Sequence, residues 1–202
     1  MIERLQHINW LGILNRWWFS VLLIPFVIYH IHQAYWTLRF NIFFSITYSF
    51  PFPINLENFL ISNFLLLIHE AGHTFFGILG NRTLTILGGS LNEILLPAII
   101  VVFCIFNRYI KGTQASLYLL GSAWMSVAFY AADGSQRQLP LIADLGVMSH
   151  DWGNLLRQWN LSHHDSTFGI TFAVIGGIFC ISAIIVPLFF RNYEEVNIDL
   201  KL

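Results

Sequence analysis

Apolar positions in this chain come as long unbroken runs, without the helical or alternating spacing of a water-facing element. Trp17 to Leu38 contains no Lys, Arg, Asp or Glu, Asn58 to Gly80 only Glu70, and Leu84 to Phe106 only Glu93. Gly112 to Ala132 and Ser166 to Phe190 contain no charge at all. A helix needs about 20 apolar residues to cross the hydrocarbon core of a bilayer. The pattern therefore predicts transmembrane helices over about 17–38, 58–80, 84–106, 113–132 and 167–190. Between the first two lies "FNIFFSITYSFPFPINLEN", also apolar but short and interrupted by Pro51 and Pro53, which stop helices. It reads as a re-entrant or interfacial segment, with a sixth crossing as the alternative. The expected fold is an all-α, polytopic transmembrane helix bundle, one integral membrane domain over 1–202. Its largest piece outside the spans is the 134–165 loop.

Composition removes the soluble alternative. Only 10% of the residues are charged and 56% are hydrophobic, against roughly 25% charged for an average soluble domain. A net charge of −1 gives no electrostatic footing for nucleic acid, so the expected partners are the bilayer and a membrane-embedded protein or lipid substrate. The two cysteines, Cys104 and Cys180, sit in apolar runs and make no disulfide framework. The N-terminal "MIERLQHINWLGILNRWW" shows no cleavable-leader pattern and reads as an interfacial, amphipathic lead-in. Trp10, Trp17, Trp18 and Trp36 flank the first span as an aromatic belt does. With five alternating spans, Arg4, Arg16, Arg82, Arg137 and Arg157 fall on one side and Arg39, Arg108, Lys111, Arg191 and Lys201 on the other, so basic residues do not orient the chain.

Against that background "LLLIHEAGHTFFGILG", residues 65–80, stands out. Ionisable groups inside a membrane are costly and mark function by default. His69 and His73 are four apart, which stacks both imidazoles on one helix face, and Glu70 lies beside them. That spacing lets two imidazoles grip one metal ion while the carboxylate takes a proton from water, which is the chemistry behind HExxH in zinc hydrolases. The competing reading is a pair of helix histidines hydrogen-bonded to neighbours. A catalytic zinc usually takes three protein ligands. Asp133, at the end of the fourth span, and His150, in "MSHDWGNLL", are the candidates for the third. Asp151 reads as an N-cap of the short segment after it, "SHHD" at 162–165 as a solvated turn before the last span, and His30 and His32 as interfacial.

"HEAGHTFFGILGNRTLTILGG" resembles the first signature of the site-2 protease family of intramembrane zinc metalloproteases. The likeness covers about twenty residues: HExxH, the "GILGNR" stretch and the paired Gly88 and Gly89. In that family a later transmembrane helix supplies an aspartate followed by glycine, and Asp133-Gly134 is the one Asp-Gly pair here. The resemblance implies His69, His73 and Asp133 as zinc ligands and Glu70 as general base. It also implies cleavage of membrane-embedded proteins. Asp133 follows Tyr130-Ala131-Ala132 rather than the family's usual context, and "HDW" at 150–152 has no counterpart there, so His150 stays beside Asp133 as a ligand candidate.

One more acid lies in a span. Glu93, in "LGGSLNEILLPAII", is expected either to hydrogen-bond a metal-bound histidine or to clasp two helices. The expected function is a zinc-dependent hydrolase, a peptidase first. A lipid amidase or esterase resembling the membrane ceramidases is the alternative within the same chemistry. A non-catalytic metal-binding subunit is the alternative outside it, and it has no use for Glu70.

Overall fold

The computed structural model describes residues 10–41, 52–139 and 149–190. Among them the chain is helical, with six α-helices: α1 (Trp10–Phe40), α2 (Ile54–Gly77), α3 (Arg82–Phe106), α4 (Ile110–Ala132), α5 (Asp151–Gln158) and α6 (Asp165–Ile185). Five stretches are long and apolar enough to cross a membrane: Gly12–Phe40, Ile54–Gly77, Arg82–Phe106, Ile110–Ala132 and Ser162–Leu188. Their outward faces carry large apolar side chains such as Leu67, Phe103 and Phe106. The bundle thus meets its surroundings with hydrocarbon, as a multi-pass membrane protein does. α1 and α2 begin earlier than the charge pattern suggests. Arg16 and Glu57 are folded inward against partners, so a single charge does not end either helix.

α4 is the central helix. It packs chiefly on α6 and α3, and α1 packs on α6 and α4. The α4–α6 seam is made of small residues. A Cβ on Gly176 would lie 2.8 Å from the Gly121 carbonyl oxygen, and one on Gly169 would lie 2.5 Å from Ala132 Cβ. Membrane helices gain little from hydrophobic exclusion, and such close backbone approach replaces it with packing contacts. Polar groups cross-link the same seam: Gln114 Nε2 donates to Ser20 Oγ at 2.7 Å and to the Ala183 carbonyl at 3.1 Å. α2 pairs with α3, with Gly72 pressed against the Gly88 carbonyl. The turn between them bends at Gly80 (φ +68°), where a Cβ would be strained, and Asn81 caps α3 by accepting from Leu84 N at 3.1 Å.

The relative directions of the helices differ from simple alternation. The start of α1 meets the end of α6, where Arg16 donates to the Phe190 carbonyl at 2.6 Å and Ser20 to the Ile184 carbonyl at 2.8 Å. Its other end reaches the start of α6, where Leu38 borders Gly169. α2 ends beside the close of α4, near Tyr130 and α5. α1 and α2 therefore run the same way. Residues 42–51, which carry the expectation of a re-entrant segment, lie outside the described residues. This changes the charge count. Arg16 shares an end with Arg108 and Lys111, while Arg39, Arg82, Arg137 and Arg157 share the other. Three against four among the described residues still leaves the bundle without an orientation by charge.

Candidate metal centre

His69 and His73 lie roughly 12 and 6 Å from the end of α2 at 1.5 Å per residue, so the pair sits just inside the surface of the bundle. Their rings are 4.9 Å apart between centroids. Each imidazole is anchored through Nδ1. His69 Nδ1 faces Glu93 Oε2 at 3.0 Å, and His73 Nδ1 faces the Thr85 carbonyl at 2.9 Å. A carbonyl and a carboxylate accept only, so both Nδ1 atoms bear the proton and both Nε2 atoms are left with a lone pair. Glu93, on α3, meets the histidine on α2, a contact that fits both roles considered for it.

Both Nε2 atoms face the same oxygen. Asp151 Oδ2 lies 3.1 Å from His69 Nε2 and 3.1 Å from His73 Nε2. Lone pairs facing a carboxylate repel unless something positive lies between, either an extra proton on each ring or one cation. Two protons and one divalent cation supply the same charge, and the spacing of the three atoms bears on the second. Zinc at about 2.0–2.1 Å from nitrogen and oxygen in a tetrahedral arrangement sets its ligand atoms about 3.3 Å apart. Both nitrogen–oxygen separations are within a few tenths of an ångström of that edge. The donor set of two neutral imidazoles and a carboxylate suits zinc.

The floor beneath the pair is backbone. A Cβ at Gly89 would lie 2.5 Å from His69 Nε2 and 2.7 Å from His73 Nε2, so only glycine leaves these nitrogens free. Gly88 serves packing, because a Cβ there would meet the Phe76 ring. The paired glycines of the motif thus have separate purposes.

Two carboxylates adjoin the histidines. Glu70 offers an oxygen within 4.8 Å of both and lies on an exposed face of α2, whereas Asp151 touches both nitrogens directly. Burial raises the cost of ionising Asp151, but with no cation between them hydrogen bonds from His69 and His73, each then protonated at Nε2, outweigh that and hold the carboxyl below its usual range. It stands as a carboxylate. Tyr130 steadies it: Asp151 N donates to the Tyr130 hydroxyl at 3.0 Å, and that hydroxyl lies 3.4 Å from Asp151 Oδ2.

The other ligand candidates are elsewhere. His150 Nε2 faces Asp133 Oδ2 at 3.2 Å, and His150 Nδ1 accepts from Gly153 N at 3.1 Å. Both ring nitrogens are spent. Asp133 also accepts from Gln138 N and Leu139 N, each at 2.8 Å. The Tyr130 ring stands between this pair and the site, 4.3 Å from His150 and 5.7 Å from His69. The structure brings neither Asp133 nor His150 to the Nε2 atoms of His69 and His73. The helix cap expected of Asp151 is made by His150 instead, which leaves Asp151 free to turn inward. Asp165 ties Ser135 to the start of α6 and also accepts from Ser166 N, with His163 and His164 exposed as expected. His30 departs from its interfacial reading: it is buried beside Glu57 at 3.3 Å, which also accepts from Tyr118 at 2.7 Å.

Asp151, Tyr130 and Thr85 are the site residues the sequence reading missed. Thr85 acts through its backbone and carries no side-chain signal. Tyr130 precedes Asp133 by one helical turn, and nothing marks it. The His150-Asp151 pair was the available signal, but which member faced inward depended on the fold.

No known protein family, no characterised protein and no solved structure matches this chain.

Proposed function

We propose that this chain is a zinc-dependent membrane hydrolase, with His69, His73 and Asp151 holding the metal and Glu70 as general base. One observation carries the reading: both histidines donate Nδ1–H to an acceptor and turn Nε2 onto one shared carboxylate oxygen. Metal-binding histidines are anchored in just this manner, through the ring nitrogen that does not bind the metal. Zinc, when bound, lowers the pKa of a water molecule it holds toward neutrality and polarises a carbonyl.

The protein's own groups do the rest. Glu93 and Thr85 fix the tautomers, and Gly89 lets the α3 backbone lie against both rings without displacing them. Glu70 accepts the proton of the attacking water and returns it to the leaving nitrogen. The motif resemblance over 69–89 favours a peptide bond in a membrane-embedded protein over a lipid amide or ester.

Glu70 separates hydrolase from metal carrier. Purified in detergent with zinc supplied, wild type should hold about one zinc per chain, and Glu70→Gln should hold the same. Hydrolysis of a panel of membrane-span peptides should fall about 10²–10⁴-fold in that variant, the usual contribution of a general base. A wild-type protein that stays metal-free, or a Glu70→Gln variant that cleaves at the wild-type rate, ends the reading.

A further inference from the structure

We propose that Asp133 and His150 are a positioning pair, which fixes Asp151 against the two histidines. This rests on the zinc reading above and extends it to residues that do not touch the metal.

The argument begins with where Asp151 comes from. It is the first residue of α5, a helix of 8 residues that is not one of the membrane-crossing stretches. His69 and His73 are held within the bundle by α2–α3 packing, but their shared carboxylate arrives on a separate, peripheral element. Something has to set its place to within tenths of an ångström. α5 is attached at several points: Trp152 Nε1 donates to Ser90 Oγ at 3.0 Å, its ring packs on Phe168 and Phe172, and Gln158 donates to Thr83 at 2.8 Å. These fix the body of the helix. Its first residue is held by the Tyr130 hydroxyl on one side and by the residue before it on the other.

That residue is His150, the N-cap, with φ −71° and ψ 110°. Its ring is used on both sides, with Nδ1 accepting from Gly153 N and Nε2–H donating to Asp133. The first link ties the ring to α5, and the second ties it to the end of α4. Asp133 in turn gathers Gln138 N and Leu139 N, so one carboxylate joins α4, the turn after it and the cap of α5. Asp133 is 0% exposed and His150 1% exposed. A Cβ on Gly153 would lie 2.6 Å from the Gly134 carbonyl oxygen, so the two segments are in backbone contact where the link is made. Mere attachment of α5 would need neither a buried carboxylate with three donors nor a histidine with one fixed tautomer. Both groups lie one residue from the ligand or bonded to that residue.

The test measures zinc affinity of the full-length protein in detergent by chelator competition. His150→Ala should weaken zinc about 10–100-fold, the range for partners that orient ligands. His150→Gln, whose amide reaches toward Asp133, should recover most of that loss, while His150→Asn keeps a cap and should not. Asp133→Asn should weaken zinc similarly, and adding it to His150→Ala should cost nothing further. Gln158→Ala, at the far end of α5, should bind zinc as wild type does. If His150→Ala and Asp133→Asn both fold and bind zinc with wild-type affinity, the pair only closes a turn and the proposal is overturned, with the zinc reading intact. Losses that simply add, or Gln158→Ala weakening zinc equally, also overturn it. Wild type without zinc affinity would overturn the metal reading and this inference together.

Discussion

Two histidine–carboxylate groupings stand at the same end of this bundle, built from the same chemical parts and suited to opposite ends. In the Asp133–His150 pair every polar atom is used: one nitrogen donates, the other accepts, and the carboxylate collects three donors, two of them on Oδ2. It is complete as it stands. In the His69–His73–Asp151 grouping both Nδ1 protons are already committed, and two lone pairs face one carboxylate oxygen. It has room for one more positive partner, an extra proton on each ring or a single cation. Residue types do not separate the two cases. Counting protons on each ring does.

The contrast breaks most sharply at the carboxylates. Asp151→Asn should weaken zinc by more than about 100-fold, beyond the range of a partner that orients ligands. The same change at Asp133 should stay within that range, so chelator competition on the two variants side by side tests which carboxylate is the ligand. Equal losses would erase the distinction.

A smaller effect is expected from the backbone floor. Gly89→Ala puts a methyl group where the two Nε2 atoms lie, so the rings must shift and zinc should weaken about 10–100-fold. Overpacking of the α2–α3 contact should cost about 1–3 kcal/mol, readable as a lower melting temperature. Glu93→Gln keeps the shape and the acceptor but removes the charge behind His69, and about a tenfold loss in zinc affinity is expected, the low end of the same range.

The smallest effect concerns the metal-free protein. Asp151 is held below its usual carboxyl range despite burial, by His69 and His73. A group depressed on folding contributes stability above its unfolded pKa, about 3.9, and loses it as pH falls through the folded value. The melting-temperature advantage of wild type over Asp151→Asn should be full at pH 7 and shrink below about pH 4.

The five spans were legible because charges are so sparse that their absence alone marks the helices. His69, Glu70, His73 and Glu93 were legible because ionisable residues in such runs need a reason. Two things were not. The shared direction of α1 and α2 is decided by what α1 packs against, which is α4 and α6, and no local pattern encodes that. Asp151 was hidden by a sound local rule: aspartate is a favoured N-cap. The fold reversed it, because His150 could reach Asp133 while capping, and that freed its neighbour. The aspartate after the fourth span drew attention through its Asp-Gly context, which here belongs to a turn.

The pairing of α1 also bears on how the molecule is made. Its hydrogen-bonding partners at Ile184 and Phe190 lie 164 and 174 residues further along the chain. At about 5–20 residues per second, roughly 10–30 s of synthesis separates the emergence of α1 from that of its partner helix. The first two helices, running in the same direction, do not enter the bilayer as a hairpin. During that interval Arg16 has none of the contacts with the end of α6 seen in the finished bundle, whereas Glu57, the partner of His30, follows it by only 27 residues. α1 thus completes its contacts only after α6 has been made.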